Sequence, residues 1–193
     1  MKITMTILLV LLASTACRTT PTPPPGQVAE DVAVLLAAGD VAKAEEAFRL
    51  LDDDGLDTAF GVLFARGREM AEQRDYGTCI RVNRFLVAHY PRRPDAREAL
   101  LFALWLERAR TGKPHDAATI KEMRALGAAV RTTEKDSPVW VDLALAQVAI
   151  DAGDLDAARA AMARFHARWN GHPASLGDYA LEVDRWLASH TGA

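Results

Sequence analysis

Two short breaks, Gly39-Asp40 and Gly153-Asp154, constrain this chain more than any other feature. Each interrupts a run of apolar residues recurring at helical spacing, and each is followed by a second such run. Val28, Val32, Leu35 and Leu36 precede the first break, and Ala44, Phe48 and Leu51 follow it. Val139, Leu143, Ala146 and Ile150 precede the second, and Leu155, Ala158, Met162 and Phe165 follow it. Glycine is the residue that most readily ends a helix in the left-handed conformation, and an aspartate after it caps the next helix. The unit these breaks predict is a pair of antiparallel helices joined by a tight turn.

The intervening sequence continues the pattern. Phe60, Leu63, Phe64, Gly67 and Met70 form one apolar face, broken near Arg74-Asp75, and Tyr76, Cys79, Ile80, Leu86 and Tyr90 form the next, ended by Pro91. Two further helices are expected, from about Pro94 to Arg110 and from about Asp116 to Arg131, with a turn at Gly112-Lys113-Pro114. A final helix carries Leu176, Tyr179, Val183, Trp186 and Leu187. No segment alternates long enough to be a strand. Alanine, about a fifth of the 193 residues, fits this reading because close-packed helices need small side chains at their contacts.

From Gly39 to Arg74 is 35 residues, and a helix-turn-helix period near 34 is the mark of tetratricopeptide repeats. The chain resembles that family at particular positions. Ala44 and Phe48 match its small and aromatic positions on a second helix, and Gly67 its small residue where a first helix packs closely. Tyr76, Cys79 and Pro91 match the aromatic, small and terminal proline positions, and Ala146, Leu155, Ala158 and Met162 fit the last unit. Asn83 stands where the second unit would have an aromatic residue. The resemblance implies an all-α solenoid of about four hairpins over residues 27–190, closed by a C-terminal capping helix. It also implies a groove lined by the first helices of the units, with Phe64, Arg68, Trp140, Leu143 and Gln147 facing it as partner-binding residues. The stretch from Asp75 to Ala99, with Tyr90-Pro91, looks like the repeats of periplasmic envelope-assembly lipoproteins.

The N-terminus agrees with that resemblance. Lys2 and the apolar run Ile7–Ala13 read as a secretory signal too short to span a bilayer. Ser14-Thr15-Ala16-Cys17 resembles the lipobox of bacterial lipoproteins, although Ser14 stands where an aliphatic residue is usual. The resemblance implies that residues 1–16 are removed and that Cys17 is acylated. Arg18 in place of aspartate points to the outer membrane, on its periplasmic face. Residues 17–26, with Pro21 and Pro23 to Pro25, form an extended tether. Loss of residues 1–16 removes Lys2 and no acidic residue, so the net charge moves from −3 to −4. The acyl chains then hold the membrane, and no nucleic-acid footprint is present.

A catalytic or metal-binding constellation is not visible. The histidines at 89, 115, 166, 172 and 190 lack metal-ligand spacing and are expected at the surface or at helix ends. Asp52-Asp53-Asp54 lacks the alternating ligands of a calcium loop and reads as an acidic helix end. Cys79 is expected as a buried, inert thiol. Arg92, Arg93 and Arg97 form a basic cluster at a turn, expected to be solvated. The expected function is a lipid-anchored protein–protein scaffold without cofactor, bound to protein partners of the envelope. The alternative is a pilotin-like or pilus-assembly lipoprotein. A cell-wall enzyme would need a carboxylate pair in a cleft, for which the sequence offers no candidate.

Overall fold

A computed structural model describes residues 23–133 and 137–190. The signal segment, Cys17 and the tether as far as residue 22 lie outside them. Among the described residues the chain is all-helical: α1 (Pro25–Ala38), α2 (Val41–Phe48), α3 (Asp53–Glu72), α4 (Tyr76–His89), α5 (Pro94–Thr111), α6 (Ala117–Thr133), α7 (Trp140–Asp151), α8 (Leu155–Arg168) and α9 (Ala174–Ser189). α1 begins at Pro25, two residues inside the expected tether. Proline suits the first helical position because its missing N–H would have no partner there.

The helices pair in sequence order, α1 with α2, α3 with α4, α5 with α6 and α7 with α8, and α9 packs against α7 and α8. The pairing follows from the turns. At Gly39 (φ 83°) the Asp40 N–H donates to Leu35 O at 2.9 Å, closing α1, and the Asp40 side chain accepts from Lys43 N, opening α2. At Gly153 (φ 73°) the Asp154 N–H donates to Ala149 O at 2.8 Å, and Asp154 accepts from Ala157 N. The turn between α3 and α4 has the same hydrogen bonds, Asp75 N to Met70 O at 2.9 Å and Thr78 N to Asp75 Oδ1 at 3.1 Å. Arg74 (φ 61°) occupies the left-handed position there. The Gly112 turn is longer: Gly112 (φ 66°) closes α5, and Asp116 accepts from Thr119 N at 2.7 Å to open α6. The third hairpin therefore has the same two devices, a glycine stop and an aspartate cap, set farther apart.

A left-handed arginine costs about 1 kcal/mol that glycine avoids, partly offset by glycine's freer unfolded chain. Arg74→Gly is expected to raise stability by about 0.5 kcal/mol or to leave it unchanged. A urea denaturation midpoint that fell would contradict this account of the turn.

The apolar core forms two clusters. The N-terminal one gathers Val28, Val32, Leu36, Ala44, Phe48, Phe60, Leu63, Val82, Phe85 and Leu86. Tyr90 closes its end, its hydroxyl donating to Leu56 O at 2.6 Å and its ring set edge-on to Phe48 and Phe60. The second cluster runs from Cys79 through Leu100, Leu104, Met123 and Leu143 to Phe165 and Leu187. Small residues permit the close approaches. A Cβ on Gly67 would stand 3.2 Å from Asn83 Nδ2 and 3.6 Å from Val82 Cγ1. α7 is enclosed on every side, with Val141, Leu143, Ala144, Ala146 and Val148 fully buried.

Candidate interaction groove

Phe64 and Arg68 lie one helical turn apart on α3. Ala99 and Phe102 face them from α5, and Trp140 opens α7. With Asp95 and Glu98 these residues line a groove of about 360 Å³. Its aromatic side is braced from below. The Phe102 and Trp140 rings meet edge-to-face with centroids 5.0 Å apart, and Trp105 stacks against Trp140 at 6.0 Å. Trp105 in turn receives Tyr179 of α9 edge-on at 5.1 Å. Phe64 stacks on Phe60 at 5.5 Å. Packed rings have few rotamers left to lose, so binding against them has a low entropic cost. Phe102 remains 36% exposed, a large apolar surface offered to solvent. Arg68 is exposed and makes no ion pair among the described residues.

Three of the five groove residues expected from the sequence therefore come together: Phe64, Arg68 and Trp140. The other two do not join them. Leu143 is fully buried in the core, because α7 is covered on both sides of that position. Gln147 is 8% exposed and held in place. It accepts from the Tyr179 hydroxyl at 2.7 Å and donates from Nε2 to Asp151 Oδ1 at 3.2 Å. It borders a separate, smaller pocket of about 170 Å³ beside α9. The capping helix takes the position that the repeat register assigns to a partner.

Asp151 anchors a charge cluster that the sequence did not announce. Its carboxylate is 1% exposed and accepts from Arg108 Nε and Nη2, from His115 N at 3.1 Å and from Gln147 Nε2. His115 Nδ1 lies 2.8 Å from Asp151 Oδ2. Burial opposes the charge on Asp151, but the hydrogen bonds from His115 and Arg108 outweigh it and hold the carboxyl well below the ordinary carboxylate range. His115 lies at a helix end, two residues before α6, but is 9% exposed at its side chain, and its Nε2 faces Leu104 O at 3.3 Å. Both ring nitrogens are turned to protein acceptors, so neither is offered to a substrate. Near the other end of α7, Asp142 is 1% exposed and paired with Arg164 at 3.0 Å and Arg168 at 3.1 Å. The two aspartates tie α7 to α5 and to α8.

Several of the other groups singled out in the sequence have structural partners. Asp52 caps α3 by accepting from Gly55 N at 2.8 Å. Arg93 pairs with Asp95 at 3.0 Å and lies 3.8 Å over the Phe60 ring, while Arg97 donates to Pro91 O. Cys79 is 3% exposed, and burial pushes its thiol up to about 11. Among the described residues no cluster of His, Cys, Asp and Glu is placed to hold a metal ion. Protein-family models, curated proteins and solved structures yield no match to this chain.

Proposed function

We propose that this chain is a lipid-anchored scaffold of the bacterial envelope. Acyl chains on Cys17 hold it at the periplasmic face of the outer membrane, and tetratricopeptide-like hairpins present a groove to a protein partner. The groove between α3, α5 and the start of α7 carries this reading. It sets exposed aromatic surface beside an unpaired arginine, and tryptophan, tyrosine and arginine dominate the energetics of protein interfaces. No helix among the described residues is long and apolar enough to cross a membrane. That leaves membrane attachment, in this reading, to the N-terminal cysteine. In this reading the protein binds rather than catalyses, and the buried Asp151 carboxylate serves to hold α7 to α5.

Crosslinked envelope fractions test the groove. Trp140→Ala is expected to weaken partner retention at least tenfold, the scale of an interface hot spot. Arg68→Glu is the cleaner variant, because that side chain is exposed and makes no ion pair among the described residues. It is expected to weaken retention with an unchanged thermal melt. Retention of the same crosslinked species by both variants would place the binding surface elsewhere.

A further inference from the structure

The first two hairpins and the last two meet at a seam. α1 packs on α3 and α5 on α7, while α4 packs on both α3 and α5 and bridges them. The apolar core divides at the same place. Val82, Phe85 and Leu86 of α4 belong to the N-terminal cluster, and Cys79 and Ile80 to the other. Asn83 stands between them, at the position where the repeat pattern would put an aromatic ring. A pocket of about 280 Å³ opens in the seam, walled by Gly67 and Ala71 of α3, Cys79 and Asn83 of α4, and Ala99 and Ala103 of α5. Its mouth shares Phe64, Arg68 and Phe102 with the groove, so the two are continuous.

Asn83 is 2% exposed. Its Nδ2 donates to Cys79 O at 2.9 Å and approaches Cys79 Sγ at 3.4 Å. A flipped amide would set two carbonyl oxygens against each other, so Oδ1 is the atom that remains, and it has no hydrogen-bond partner. A buried acceptor left unpaired is destabilising, and such groups normally find a donor. Arg68 and Glu72 bring charge to the lining, and the remaining walls are apolar and built mostly from small residues. About 150 Å³ suffices to hold benzene, so this pocket has room for an aromatic ring with a polar tip. A serine or threonine is too short to fill it, and the apolar walls suit a ring better than a charged chain.

We propose that this pocket receives one aromatic side chain with a donor at its tip, a tyrosine or tryptophan of a partner segment lying in the groove, with the donor on Asn83 Oδ1. The proposal rests on the scaffold reading and adds the chemistry that the partner must present.

The test uses the purified, ¹⁵N-labelled full chain in lipid nanodiscs, titrated with two blocked pentapeptides that differ only in a central tyrosine or phenylalanine. The tyrosine peptide is expected to give saturable shifts at the amides of Gly67, Asn83 and Ala103, with an affinity roughly tenfold above that of the phenylalanine peptide. In Asn83→Leu the two peptides are expected to bind equally. In Ala99→Met, at a half-buried position that should tolerate the longer side chain, both should weaken. Equal affinities for the native chain, or shifts confined to other residues, would overturn the proposal. So would binding of p-cresol without binding of the tyrosine peptide, which would assign the pocket to a small free molecule. If the pocket fails these tests while Arg68→Glu still loses its crosslinked partner, the scaffold reading stands and this inference falls; the opposite result separates them the other way.

Discussion

Asp151→Asn is expected to lower the stability of the helical domain by about 3 kcal/mol. Removing one member of a buried ion pair leaves the other charges uncompensated, which typically costs about 3–5 kcal/mol. The low end applies because Arg108 keeps 15% exposure at its side chain and can turn toward water. His115 and Gln147 lose an acceptor as well, and Gln147 in turn positions Tyr179 of α9. For a chain of this size the loss corresponds to a fall of roughly 6–12 °C in Tm. The effect depends on pH in a definite direction. The folded carboxyl takes up its proton only well below its ordinary value of 3.8. Its contribution is therefore whole above about pH 5 and is lost as the pH falls through the acid range. Urea denaturation of native chain and variant at about pH 7 and about pH 3 checks both points. The gap between their midpoints should be wide at neutral pH and narrower in acid. A gap that widened in acid would mean that Asp151 is not held ionised by its partners.

Cys17→Ala is expected to move nearly all of the protein from the membrane fraction to the soluble fraction. A single acyl chain gives only marginal, reversible binding, whereas two or more give stable attachment. Under the proposed anchor, loss of Cys17 removes every chain at once. Nothing else in the chain is expected to replace them, since a mature net charge of −4 disfavours adsorption to anionic lipid. Flotation of membranes through a density gradient reads the result. A variant that still floats would require a second membrane contact, for which Val34 on α1, 66% exposed, is the nearest large apolar candidate.

How much of this was legible in the sequence depended on how local each feature is. The hairpin turns were legible because Gly39-Asp40 and Gly153-Asp154 hold both the helix stop and the next cap in two adjacent residues. Even Arg74-Asp75 broke where expected, since Asp75 caps α4 whatever precedes it. Phe64, Arg68 and Trp140, which the resemblance set on one face, do line one groove. Leu143 and Gln147 share that register but lie farther along α7, where the surrounding helices cover them. Such covering is a tertiary fact with no local sequence signal. The Arg108–His115–Asp151 cluster was invisible for a related reason. Asp151 follows its partners by 43 and 36 residues, and nothing in the spacing of a lone histidine and a lone aspartate marks them as neighbours. Asn83 was visible as a departure from the expected pattern, but only the structure shows that it borders a pocket lined by α3, α4 and α5.

The central claim is that these hairpins work from a membrane, on a lipid anchor at Cys17. Intact-mass spectrometry of the protein purified from its native envelope tests it most directly. The account predicts a mature chain beginning at Cys17, heavier than its amino-acid mass by a lipid modification confined to the peptide that carries Cys17. An unmodified chain, or one that begins at any other residue, would contradict it.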